Sequence, residues 1–219
     1  MKSIIFLGAP ASGKGTHSSL LAENLGYIQI STGNLLREIS TQNTELGQKI
    51  KNIIASGELV DDESVLSLLK NKLNDIAGKP FILDGFPRNL NQTKQLSVIL
   101  DDLKVEYIVI YFNIDEDLCR KRITGRITCP CGKSYNMTTK FLPKKEGICD
   151  SCGQSLQKRE DDNEEAFNKR FALYIKNTEP IIDYYQKENK LVVIDANTTE
   201  TRSCEDIYQE IIEVINDKY

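Results

Sequence analysis

The sequence predicts a doubly wound α/β fold, with five parallel strands in one sheet and helices on both faces. Three observations lead there. Apolar runs of four to six residues recur along the chain, and stretches with helical spacing separate them. The run at 107–112 is apolar throughout rather than alternating, which suits a parallel strand covered on both sides. A glycine-rich turn, 8–14, stands between the first strand and the first helix.

The elements follow in order. Residues 2–7 form a short apolar run ending at Gly8, a buried strand. Residues 14–25 have helical character, with Gly26 as the C-terminal stop. Residues 27–30 are a second strand. Leu35, Leu36 and Ile39 then recur at helical spacing, as do Ile50, Ile53 and Ile54, which stop at Gly57. Asp61 or Asp62 caps the next helix, which carries Val65, Leu66, Leu68, Leu69 and Leu73. The remaining strands are 80–85, 107–112 and 191–194.

One stretch, 127–158, breaks this rhythm. It has no sustained helical period, is rich in Cys, Gly, Pro and Lys, and is expected to be a small inserted subdomain. Residues 161–165, Asp-Asp-Asn-Glu-Glu, follow as a helix start with a capping box.

Composition narrows the function. The chain has 219 residues, 27% charged and 40% hydrophobic, which is globular and fits one domain with an insertion. A net charge of −4 makes a poor general nucleic-acid binder. Residues 2–7 are too short for a signal-peptide core, and no later run is long enough to span a bilayer, so a cytoplasmic protein without membrane partners is expected. The single histidine, His17, leaves little room for a Ser-His-Asp site; it is expected to be an ordinary helix residue. Of six cysteines, Cys129, Cys131, Cys149 and Cys152 cluster, and in a reducing compartment such a cluster points to metal. Cys149-x-x-Cys152-Gly is half of a zinc ribbon, and Cys129-Pro-Cys131 is a tighter partner. Four thiolates close a site, so a Zn²⁺ there would fold the insert rather than catalyse. Cys119 and Cys204 are expected to be packing residues.

Gly8-Ala-Pro-Ala-Ser-Gly-Lys14 is the G-x-x-x-x-G-K pattern between a strand and a helix. Successive backbone N–H groups and the helix N-terminus make a nest for phosphate oxygens, and Lys14 supplies countercharge. Arg120, Lys121, Arg122 and Arg126 crowd positive charge onto one short segment, which an anion would offset.

Further segments resemble the adenylate kinases, of the type with a long lid. Lys14-Gly15-Thr16, Ser31-Thr-Gly-Asn-Leu-Leu-Arg37, Gly57-Glu-Leu-Val60, Leu83-Asp-Gly-Phe-Pro-Arg88 with Gln92, Arg122-Ile-Thr-Gly-Arg126, and Arg159-Glu-Asp-Asp-Asn163 with Arg170 fall in family order from about residue 3 to 195. The resemblance implies the reaction ATP + AMP ⇌ 2 ADP with Mg²⁺, carried out by a monomeric core of residues 1–219. It implies an AMP-binding helical lid at 31–60 and a zinc-bearing ATP lid at 126–163. ATP phosphates would be held by Ala11, Ser12, Gly13, Lys14, Gly15 and Thr16, with Arg126 over them and Ser134, Tyr135 and Thr198 toward the ribose or base. Arg88, Arg122, Arg159 and Arg170 would converge on the transferring phosphoryl and the AMP phosphate. AMP would meet Thr32, Arg37, the 58–60 backbone (Glu58, Leu59, Val60), Gly85, Phe86, Pro87, Arg88 and Gln92. Asp84 would order Mg²⁺ through water. Other nucleotide pairs on this fold (GTP with AMP, or ATP with UMP or CMP) stay open here, as does a zinc-ribbon protein using nucleotide as a switch.

Two positions depart from the family pattern. Ala11 stands where glycine is common, so a positive φ there would cost about 1 kcal/mol or more. Asn34 stands in place of Asp, which removes a negative charge near the AMP segment.

Overall fold

The structure is a computed structural model that describes every residue except 77, 139–140, 200 and 218–219. Strands β1 (Ser3–Gly8), β2 (Ile28–Ser31), β3 (Phe81–Asp84) and β4 (Tyr107–Asn113) join a fifth, Leu191–Asp195, in one sheet. Two short strands of the insert precede that fifth strand in the chain, so it is β7, and the sheet order is β2-β3-β1-β4-β7. Every pairing is parallel, as the unbroken apolar runs predict. Each predicted strand end is within one residue of the observed one.

Alternation along the strands divides the core in two. Ile4 and Phe6 of β1, with Ile108, Ile110 and Phe112 of β4, face one buried cluster; Ile5, Leu7 and Val109 face the other. Helices α1 (Lys14–Leu25), α6 (Glu116–Thr124) and α8 (Cys204–Asp217) contribute to the first cluster. Helices α2 (Thr32–Ser40), α3 (Glu45–Ser56), α4 (Asp62–Asp75) and α5 (Leu90–Asp102) contribute to the second. The long α7 (Glu164–Lys187) reaches both. No helix among the described residues is long and apolar enough to cross a membrane.

Local signals explain the helix ends. Gly26 and Gly57 close α1 and α3 in the left-handed conformation, and Asp61 caps α4 by accepting from the Ser64 N–H at 2.9 Å. The capping box at 161–165 is corrected. Asn163 is the cap, accepting from the Ala166 N–H at 2.9 Å, so the third helical residue is an alanine and nothing reaches back. Asp161 and Asp162 turn inward instead, each 4% exposed.

The insert lies between α6 and α7. Strands β5 (Arg126–Thr128) and β6 (Ser134–Asn136) pair antiparallel, and bridges from Thr128 to Gln157 and from Ile148 to Ser155 bring in the rest. Lys133 ties the insert to α1 by donating to Glu23 at 2.8 Å, and it also bonds Ser151 at 2.9 Å.

The connections leaving β1 and β3 run to opposite sides of the sheet, since β1 leads to β2 and β3 leads to β4. A crevice therefore opens at the carboxyl ends of these two neighbours, where ligands bind in such sheets.

Candidate active site

The β1–α1 loop forms one wall of that crevice. The Lys14 ammonium donates to the carbonyls of Gly8 (2.9 Å) and Ala9 (2.7 Å) and to Ser12 Oγ (3.1 Å). Burial pulls its pKa down to about 8, against the pull of Asp84 and with help from Arg88 and Arg126. Ala11 has φ +62°, so this departure from glycine does carry backbone strain. Asp84 ends β3 beside the loop, since a Cβ on Gly15 would lie 3.5 Å from Asp84 Oδ2. Gly85 follows with φ +83°, and a Cβ there would come within 3.0 Å of Thr32 Oγ1 and 3.4 Å of an Arg88 nitrogen.

A large cavity of about 790 Å³ opens over the loop. Ala11, Ser12, Gly13, Lys14, Gly15 and Thr16 line it, as do Ser134, Thr198 and the arginines. A second, small cavity of about 60 Å³ is lined by Thr32, Arg37, Glu58, Leu59, Val60 and Gln92, with Gly85, Phe86 and Arg88. Pro87 faces the large cavity only. Arg37, Arg88 and Arg170 line both, so the two cavities meet at guanidiniums.

Five arginines crowd this junction. Burial first, and then neighbouring guanidiniums with Arg126 among them, lower the pKa of Arg37, Arg88, Arg159 and Arg170, and Arg159 falls to about 9. Two buried carboxylates hold them apart. Asp162 takes Arg126 in a two-pronged ion pair; Asp161 accepts from Arg170 at 2.7 Å and lies 3.9 Å from Arg37. Burial works against the Asp161 carboxylate, but Arg170, Arg37, Arg126 and Arg159 outweigh it and hold the carboxyl below its usual range. Asn34, the other departure, accepts from Arg37 at 2.8 Å, so the amide keeps the contact without the charge.

Two of the predicted residues sit apart from the arginine junction. Arg122 does not join the other arginines. Its guanidinium donates to Ser12 O (3.3 Å), Ala196 O (3.3 Å) and Thr198 Oγ1 (3.1 Å), which pins it between the loop and the segment after β7. It sits on the last turn of α6, and the helix axis aims it at the loop, while Arg126, beyond Gly125, starts β5 and reaches the junction. Tyr135 borders the large cavity but is 3% exposed, packed with Phe141, and its hydroxyl accepts from the Asp150 N–H (2.7 Å) and donates to Cys149 Sγ (3.7 Å). It is a core residue of the insert at the border of the large cavity.

Residues absent from the sequence-based expectation also enter the site. Asp161 and Asp162 appeared as helix-start residues and within the Arg159–Asn163 segment, with no role of their own, and Asp62 only as a cap. The usable signal was two adjacent acids between Arg159 and Arg170, more charge pairing than one cap requires.

The four clustered cysteines converge. Their sulfurs all lie within 4.8 Å of one another, with Cys129–Cys152 at 3.3 Å and Cys131–Cys149 at 3.7 Å. A tetrahedral zinc with bonds of about 2.3 Å needs sulfurs about 3.8 Å apart. The arrangement is compatible with zinc, and the short Cys-Pro-Cys turn does not prevent it. Burial opposes the Cys149 thiolate, yet N–H donors from Ser151 and Cys152 bring its pKa to about 6, toward the form that binds metal.

A doubly wound sheet with a phosphate loop at its switch point, facing an arginine cluster between two cavities, defines a P-loop phosphotransferase that handles two phosphorylated substrates. Comparison with known proteins gives the family. The family model described as adenylate kinase matches residues 6–190. Curated adenylate kinases from Thermosipho africanus (42% identical, 97% of this chain and 99% of theirs) and Methanosarcina barkeri (41%, 97% and 98%) are similar throughout. So is that of Borreliella burgdorferi (41%, with 97% of each chain covered). The chain belongs to the adenylate kinase family and is an ATP:AMP phosphotransferase.

Proposed function

We propose that the large cavity takes the donor ATP, the small one takes AMP, and the transferring phosphoryl sits at the arginine junction between them. The observation that carries this division is the set of guanidiniums shared by both cavities. Transfer between two polyanions needs positioning and cancellation of charge more than covalent chemistry. The loop amides of residues 11–16 and Lys14 hold the donor phosphates, with Arg122 and Thr198 behind the loop. Arg37, Arg88, Arg126, Arg159 and Arg170 grip phosphoryl oxygens in planar forks that stay charged. Thr32, the 58–60 backbone, Gly85, Phe86, Pro87 and Gln92 hold AMP. Mg²⁺ bound with ATP would neutralise phosphate charge, and Asp84, a hard oxygen donor beside the loop, would hold it through water.

Residues 31–60 and 126–163 act as lids over the core. Their closure keeps water from the phosphoryl, which would otherwise be hydrolysed. Zinc on Cys129, Cys131, Cys149 and Cys152 holds the second lid in shape and supplies no open coordination position for chemistry.

The test is ADP formation from Mg-ATP with AMP, UMP, CMP, GMP or water offered in turn. ADP is expected with AMP, near two per ATP consumed. Arg88→Ala is expected to lower kcat on the order of 10²–10³-fold, as loss of a transition-state donor does. Turnover within threefold of the parent would remove Arg88 from the transfer site.

A further inference from the structure

We infer that Asp62 is a positioning residue that fixes which way the Gln92 amide faces, and thereby helps the enzyme choose adenine over guanine in the acceptor. The inference rests on the assignment of Gln92 to the AMP site, and takes its amide as the group that faces the acceptor base.

Gln92 is 2% exposed and lines the small cavity. Both ends of its amide are engaged by groups that accept only one orientation. Its Oε1 accepts from the Arg88 backbone N–H at 2.7 Å, and its Nε2 donates to Asp62 Oδ1 at 2.7 Å. A backbone N–H tolerates only the oxygen end, and an ionised carboxylate only the nitrogen end. Asp62 is held ionised: burial works against its charge, but the amides of Asn91, Gln92 and Asn89 outweigh that. Asn91 Nδ2 donates to it at 2.9 Å and Asn89 Nδ2 at 3.1 Å. Three side-chain amides thus converge on one carboxylate. Its neighbour Asp61 does the capping of α4, so Asp62 is free of that task.

A glutamine amide left to itself is ambidextrous. Turned one way it shows a donor and an acceptor in one order; turned over, it reverses them. Adenine presents a ring nitrogen acceptor beside an amino donor. Guanine presents a ring N–H donor beside a carbonyl acceptor, the opposite order. With one Nε2 proton and one Oε1 lone pair left over, a fixed Gln92 matches one order only. Flipping it toward the other would set its NH₂ against the Arg88 N–H and its oxygen against the Asp62 carboxylate. Discrimination built on a penalty to the wrong partner requires the amide to be unable to turn.

The experiment measures kcat/KM for AMP and for GMP, with Mg-ATP as donor, in the parent, Asp62→Asn and Gln92→Ala. The AMP-to-GMP ratio comes from one preparation, so an unfolded fraction cancels. Asp62→Asn is expected to raise KM for AMP more than it changes kcat, and to lower the ratio about tenfold or more. Gln92→Ala is expected to lower it as well. A ratio unchanged in Asp62→Asn but lowered in Gln92→Ala overturns the inference and leaves the reading of Gln92 standing. A ratio unchanged in both overturns that reading, and the inference with it. If Asp62→Asn yields no folded protein, Asp62→Ser serves the same comparison, because a hydroxyl accepts either end of the amide.

Discussion

His17 should make the protein sensitive to mild acid, by an amount the structure sets. The ring is 2% exposed, stacked on Phe112 at 5.6 Å, and its Nδ1 has no hydrogen-bond partner. Burial, with Arg122 adding repulsion, pulls its pKa down to about 4. The unfolded chain keeps the ordinary value of about 6.5. Between those values the unfolded state binds the proton and the folded state does not, so stability rises with pH through this window and falls on acidification. Integrated from pH 7.5 to pH 5, the difference is about 2 kcal/mol, or a Tm change of roughly 4–8 °C for a chain of this size. Thermal or urea unfolding of the parent and His17→Gln at both pH values isolates the effect. The acid loss should shrink in the variant by about that 2 kcal/mol. Equal acid loss in both proteins would show that His17 is not held neutral by its surroundings.

Four further outcomes follow. Purified protein should carry roughly one zinc per chain, and chelation or Cys131→Ser should loosen the insert while the sheet stays folded; zinc-free protein with four freely titrating thiols in the cluster refutes the metal site. Because burial brings Lys14 to about 8, kcat/KM for ATP should fall as pH rises through about 8, as the ammonium loses its proton, and Lys14→Met should remove that limb along with most activity. Asp161→Asn leaves guanidiniums uncompensated and should cost about 3–5 kcal/mol, with nucleotide recovering more Tm in the variant than in the parent, since phosphate replaces the missing charge. Lys133→Ala removes an ion pair to a half-exposed Glu23 and should change KM for ATP less than threefold; a larger effect in steady-state kinetics would show that the bridge holds the insert in its working position.

The sheet was legible because its inner strands β1, β3 and β4 are largely buried on both faces, so apolar runs such as 107–112 carry no competing polar signal. The phosphate loop was legible because spacing alone defines it. Less legible were residues whose role depends on where a helix points. Arg122 and Arg126 are four apart, a spacing that suggests one shared face, but α6 ends at Thr124 and the chain turns at Gly125, so they reach different ends of the cleft. Tyr135 is ambiguous for a related reason. An aromatic three residues after a glycine turn reads equally as ligand platform or packing, and the Asp150 N–H and the cysteine cluster behind it show its packing side. Asp161 and Asp162 were obscured because acids before a helix already have an explanation as caps.

The arginine junction explains why such acids are needed. Five crowded guanidiniums, four of them lowered in pKa by burial and by their neighbours, are a destabilised arrangement in a protein of modest stability. Without carboxylates they would splay toward solvent, and each would have to be collected again when nucleotide arrives. Asp161 and Asp162 offset enough charge to keep Arg170 and Arg126 in place while leaving the cluster positive overall. Arg88 takes a different anchor: its Nε donates to the Gly85 carbonyl at 2.7 Å, which holds the guanidinium without neutralising it. Under the proposed assignment, these contacts hold the arginines in place and leave positive charge over for the phosphoryl group. Catalysis by fixed charges requires that combination, because reorganising the arginines during transfer would raise the barrier they exist to lower. Full neutralisation would order the cleft equally well and leave nothing to stabilise the transition state.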